Sequence, residues 1–226
     1  DEKNDQGKLW GEVTTILSSP GAGKTTLLRL FSPSILQRIT ERNSAYKKLK
    51  KLDVIDSEHI KKCGVYLQLG RDYEFLEDDV LFNDMEQRRI FLSLLNARIV
   101  LATLKSCMSL AGIKYTALNE IVYAPEELVP EFGDFKAEFT GKELLNWATE
   151  QERKICEFLD SFVLPDEGIQ GSSSLFALKV MKASWFTYKR ERLCDEFIFQ
   201  IDDGHKLTDK QKKIIRSETV EVRLPV

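Results

Sequence analysis

The eight residues from Ser18 to Thr25, Ser-Ser-Pro-Gly-Ala-Gly-Lys-Thr, leave this chain few ways to fold. They fit the pattern G-x-x-x-x-G-K-[ST] at every place but the first, where Ser18 stands for glycine. The spacing has a physical reason. Glycines let successive backbone N–H groups turn inward around a phosphate, and a helix opening behind them adds partial positive charge. A lysine at the place of Lys24 reaches the outer phosphates, and a hydroxyl at the place of Thr25 suits a magnesium ion. Serine at the first position is tolerated where its backbone angles stay accessible, although glycine reaches them at least cost. The candidate phosphate contacts are therefore Ser19, Pro20, Gly21, Ala22, Gly23, Lys24, Thr25 and Thr26.

Such a loop carries that meaning only between a strand and a helix. Val13 to Leu17 is a β-branched run that reads as a buried strand. Thr25 to Phe31 carries Leu27, Leu28, Leu30 and Phe31, which reads as the helix, with Ser32-Pro33 ending its first stretch. A second strand is expected at Gly64–Gly70 and a long buried helix from Asp84 to about Leu110. From 111 to 171 the chain becomes loop-rich and then helical. Thr140 and Glu143 form a capping box, and apolar residues from Leu144 to Phe162 follow at helical spacing. Leu175 to Trp185 reads as another helix, although a strand fits it too. A strand is expected at Phe197–Ile201, a polar helix from Leu207 to about Arg216 with Thr208 as its cap, and a last strand at Thr219–Val226. Strands separated by helices predict an α/β fold with a parallel central sheet flanked by helices and a helical insertion. The expected division is 1–110 and 172–226 for the core and 111–171 for the insertion.

The strand Phe-Ile-Phe-Gln-Ile ends in Asp202-Asp203. Phosphate-loop ATPases place an acid at the tip of a neighbouring strand to hold the magnesium shell, often followed by a second acid that orients water. On that pattern Asp202 is the magnesium residue and Asp203, with Lys24, a candidate catalytic group.

Composition narrows the partners. A net charge of −3 over 226 residues gives no overall footprint for nucleic acid. The basic residues do cluster, at Lys47, Lys48, Lys50, Lys51, Lys61 and Lys62 and at Lys210, Lys212, Lys213 and Arg216, which leaves nucleic acid open as a partner. Four scattered cysteines fit buried thiols in a reducing cytoplasm better than disulfides or a metal. The polar, acidic start predicts no secretory leader. The apolar stretch Ile90–Leu104 is short for a membrane span, which needs about 20 residues, so a core helix is expected.

With Ser-Ser-Pro-Gly-Ala-Gly-Lys-Thr-Thr-Leu-Leu and Phe-Ile-Phe-Gln-Ile-Asp-Asp-Gly-His-Lys-Leu-Thr in place, the chain resembles an additional-strand P-loop NTPase of the origin-recognition-like AAA+ and STAND branches. The resemblance implies an ATPase using ATP and Mg²⁺, with Lys24, Thr25, Asp202 and Asp203 in the roles given. It also implies work inside a larger assembly or homo-oligomer, and relatives that include bacterial antiviral defence proteins. A trans-acting arginine would accompany such an assembly, with Arg88, Arg89 or the run Lys189-Arg190-Glu191-Arg192 as candidates. The family's sensor strand and helical lid have no counterpart up to Val226. No Leu-Ser-Gly-Gly-Gln-type motif precedes the strand, which argues against a transporter-type or chromosome-maintenance ATPase, and no Asn-Lys-x-Asp motif appears, which favours ATP over GTP. A nucleotide-dependent binding module with slow hydrolysis and a small-molecule kinase are the alternatives.

Overall fold

The structure, a computed structural model, describes residues 23–57, 59–69, 73, 83–133, 136–161 and 172–221. The expected strand at Val13–Leu17 and the loop positions Ser18, Ser19, Pro20, Gly21 and Ala22 lie outside these residues. Three helices open the described chain: α1 (Lys24–Arg29), α2 (Pro33–Leu36) and α3 (Ser44–Lys51). Strand β1 (Lys62–Gln68) follows, then α4 (Asp84–Ala111). Two short strands, β2 (Ile121–Tyr123) and β3 (Phe139–Thr140), precede α5 (Gly141–Ser161). The last part holds a single turn, α6 (Ala177–Val180), strands β4 (Phe186–Tyr188), β5 (Glu191–Arg192) and β6 (Glu196–Asp202), and α7 (Asp209–Glu221).

The fold is mixed α/β. β1 and β6 pair in parallel, with Gln68 opposite Asp202, so the tips of both strands end side by side. A parallel pair needs a long crossover, and here it comprises α4, a second sheet and α5. That sheet is antiparallel, in the order β3-β2-β4-β5. The segment 111–171, expected as helical, thus contributes two strands as well as α5. Its strands are two and three residues long, too short for alternation to show in sequence. They are fixed instead by aromatic packing: Tyr123 lies against Phe132, Phe139, Trp185 and Phe186, and its hydroxyl donates to the Val180 carbonyl at 2.8 Å.

Helix α4 carries the core. Its start is set by Asn83 and Glu86, whose side chains each accept from the other's backbone N–H, and Gly112 ends it at φ 64°, a left-handed position glycine takes cheaply. Ile90, Phe91, Leu92, Leu94, Leu95, Ile99, Val100 and Leu104 are all buried, each contributing about 1.5–3 kcal/mol on removal from water. The buried cluster runs unbroken from Leu67 on β1 through this helix to Tyr123 and Phe186 of the second sheet. The polar residues in this greasy helix have partners. Asn96 donates to the Ser174 carbonyl at 2.9 Å and accepts from the Ala177 N–H at 3.0 Å, and Arg98 bonds Glu152 of α5 at 2.8 Å. At 28 residues α4 is long and apolar enough to cross a membrane, so length does not set it apart as the sequence suggested. Its surroundings do: 72% of its most apolar window is buried inside the protein.

Two further expectations are corrected. Leu175–Trp185 holds only the turn α6 and a 3₁₀ turn at Ala183–Trp185. Thr219–Glu221 is the end of α7 rather than a strand, and the rest of that expected strand lies outside the described residues. Tertiary contact favours the helix here. Glu218 is buried and takes hydrogen bonds from Arg88 and from the Leu175 N–H, while the Thr219 hydroxyl donates to the Ile215 carbonyl at 2.8 Å, within the helix.

Candidate functional site

Lys24 and Thr25 open α1, and Gly23 caps it at φ 83°. Left-handed angles there come at little cost only to glycine, so this position of the motif answers a backbone requirement. Thr26 is exposed on the same turn.

The central contact spans most of the chain. The Thr25 hydroxyl donates to Asp202 Oδ2 at 2.9 Å, across 177 positions of sequence. The two residues expected to share a metal ion are thus neighbours. The same Asp202 oxygen accepts from the Tyr66 hydroxyl at 2.8 Å. Asp202 Oδ1 accepts from the backbone N–H of Asp203 at 2.9 Å. Burial pushes the Asp202 carboxyl up and is its largest single influence, but the bonds from Tyr66, Asp203 and Thr25 together with the Lys24 charge outweigh it. The net effect holds Asp202 below the usual carboxylate range, so it is ionised at neutral pH. Tyr66 moves the other way. Burial first, then its bond to the Asp202 carboxylate, push its hydroxyl up to about 12, so it stays a donor.

Asp203 is placed differently. Its backbone is left-handed at φ 59°, uncommon for a residue with a side chain. Its carboxylate accepts from Gln68 Nε2 at 2.9 Å and lies 3.8 Å from the Lys206 ammonium. Asp203 thus carries local backbone strain of the kind found at functional sites. One partner of each aspartate, Tyr66 for Asp202 and Gln68 for Asp203, comes from the tip of β1, which sequence reading took only as a strand. Gly64, Tyr66 and Gln68 alternate onto one face, and polar side chains at two successive places on one face of an apolar strand were the signal to find them. Gly64 sits in close quarters there, since a Cβ would meet Gln200 Oε1 at 2.7 Å and Phe31 Cβ at 3.0 Å and the Gln200 side chain would have to shift.

The arginine-finger candidates fare unevenly. Arg88 is engaged with Glu218, and Lys189 and Arg190 form the left-handed turn between β4 and β5. The basic clusters divide as well. Lys61 and Lys62 face Asp53 at 2.8 and 3.3 Å, and Lys210 and Lys212 pair with Asp84 and Asp209. Among the described residues no group of three or more His, Cys, Asp or Glu side chains could hold a metal by itself. Compared with known proteins, the chain matches no family model, no curated protein and no solved structure.

Proposed function

We propose that this chain is a P-loop ATPase, binding ATP and magnesium at the α1–β6 junction and using binding or hydrolysis to drive assembly or switching of a larger complex. One observation carries the reading: the Thr25 hydroxyl and the Asp202 carboxylate, drawn from motifs 177 positions apart, meet at 2.9 Å. Both are hard oxygen donors, a set that fits magnesium, which takes one or two protein oxygens and completes its shell with phosphate and water. Thr25 and Asp202 would hold the ion, and Lys24 would face the outer phosphates. When bound, the magnesium would neutralise charge on the phosphate oxygens. Asp203 would polarise the attacking water. Thiols rather than disulfides at Cys63, Cys107, Cys156 and Cys194 support a cytoplasmic setting.

A slow-hydrolysing, nucleotide-dependent binding module is the second reading, and the engagement of Asp203 by Gln68 favours it. Two measurements separate these. Binding of a fluorescent ATP analogue with magnesium should be lost in Lys24→Ala, and unchanged affinity there would sink both readings. Single-turnover hydrolysis should fall sharply in Asp203→Asn under the ATPase reading, and stay at an already low rate under the second.

A further inference from the structure

Not all of the basic residues on this protein are neutralised by their neighbours. Arg38, Arg42 and, on α3, Lys47, Lys48, Lys50 and Lys51 are exposed. Between 38 and 51 there are six basic residues and one acid, Glu41, a net +5 in a protein whose overall charge is −3. Lys61 and Lys62, grouped with these in sequence, are paired with Asp53. The four lysines of α3 have no acidic partner among the described residues.

Helix formation does not call for this arrangement. α3 is eight residues long and is held by Tyr46 and Leu49, the side chains it buries. Lys47 lies three and four positions from Lys50 and Lys51, and Lys48 three from Lys51, so like charges crowd one another. The helix dipole offsets part of that repulsion in the last turn, but the first turn carries no acid to offset the rest. Beyond the dipole and the Lys50 ammonium lying 6.0 Å from the Tyr46 ring centroid, the described residues offer these charges no compensation, as happens where a surface has a ligand.

The distribution selects the ligand. The charges spread over two turns and the preceding loop instead of converging on a pocket, which suits a row of phosphates better than a single anion. An anionic bilayer fits poorly, because a membrane-surface helix needs an exposed apolar face and the large apolar residues of α3 are turned into the protein. We propose that this face binds the phosphodiester backbone of a nucleic acid, without reading its sequence. The face uses none of the residues assigned to the triphosphate site, so its role does not depend on that reading.

The test is fluorescence anisotropy of the full chain with labelled duplexes of about 20 base pairs, one DNA and one RNA, between about 50 and 200 mM salt. Four phosphate contacts predict a log–log salt slope near −3.6, roughly a hundredfold loss of affinity over that range. Changing Lys47, Lys48, Lys50 and Lys51 together to Gln should remove most of that slope, with the circular dichroism spectrum unchanged because all four are exposed. Lys61→Gln, at a neutralised lysine, should leave it intact. The two duplexes show whether the partner is DNA, RNA or either. Absence of binding to both at the lowest salt would overturn the proposal, as would an unchanged slope in the quadruple variant. So would binding to phosphatidylserine vesicles with none to either duplex.

Discussion

Replacing Tyr66 by Phe removes one hydroxyl and leaves the ring, so it isolates the bond to Asp202. A hydrogen bond to a charged group contributes about 1.5–3 kcal/mol. Tyr66 is half-buried, so water can take over part of the interaction and the low end applies, about 1.5 kcal/mol after solvent screening. Asp202 would keep its bonds from Thr25 and the Asp203 N–H. For a chain of this size that corresponds to a fall in Tm of about 3–6 °C. The assay is urea unfolding of wild type, Tyr66→Phe, Asp202→Ala and the double variant, which forms a cycle. Coupling of about 1–1.5 kcal/mol is expected at pH 7. The pH dependence has a definite sign. Asp202 is depressed in the folded state, so its contribution is present above the ordinary Asp value of about 3.9 and is lost as pH falls through the folded value. Tyr66 is raised, so its contribution is complete below about 10 and is lost as pH rises toward about 12. The gap between wild type and Tyr66→Phe should therefore be flat from about pH 5 to 9 and shrink outside that window. Additive single variants at pH 7 would refute the coupling, as would a gap that changes between pH 5 and 9.

Arg88→Ala should destabilise the fold by about 3 kcal/mol, because Glu218 would be left buried with the Leu175 N–H as its one remaining donor among the described residues. The lower end of the usual range applies since the Arg88 side chain is 42% exposed, and a loss below about 0.5 kcal/mol in urea unfolding would show the pair to be dispensable. A thiol reagent at mildly alkaline pH should modify one cysteine quickly in the native protein, Cys156, the exposed one. Cys63 is held as a thiol by its contact with Cys194 and by burial, and burial pushes Cys107 up. Rapid modification of more than one thiol before denaturation would contradict that packing.

What could be read from the sequence, and what could not, follows from how far each interaction reaches along the chain. The cap of α5 at Thr140 and Glu143 was legible because both partners lie within one turn, and the Thr140 N–H donates to the Glu143 carboxylate at 2.8 Å as the spacing implied. The same holds for α7, where Thr208 and Gln211 each accept from the other's N–H at 3.2 Å. Asp202 was legible because a strand tip followed by an acid pair is a local pattern with a chemical meaning. The second sheet was not, since its strands are short and their pairing depends on aromatic contacts made by residues far apart. The helical end of α7 was not either, because Glu218 takes its bonds from Arg88 and from Leu175.

By itself, the sequence determined the elements that carry their own instructions: the glycine that opens α1, the capped helices, the apolar run of α4 and the acidic end of β6. Tertiary structure alone decided that Thr25 stands 2.9 Å from Asp202, that Tyr66 shares the same oxygen, and that Gln68 holds Asp203. It also decided which lysines are neutralised and which are left on the surface. The reason is physical. Propensity, capping and periodicity act over a few residues, whereas a carboxylate's partners and its proton affinity depend on whatever the folded chain brings within a few ångströms.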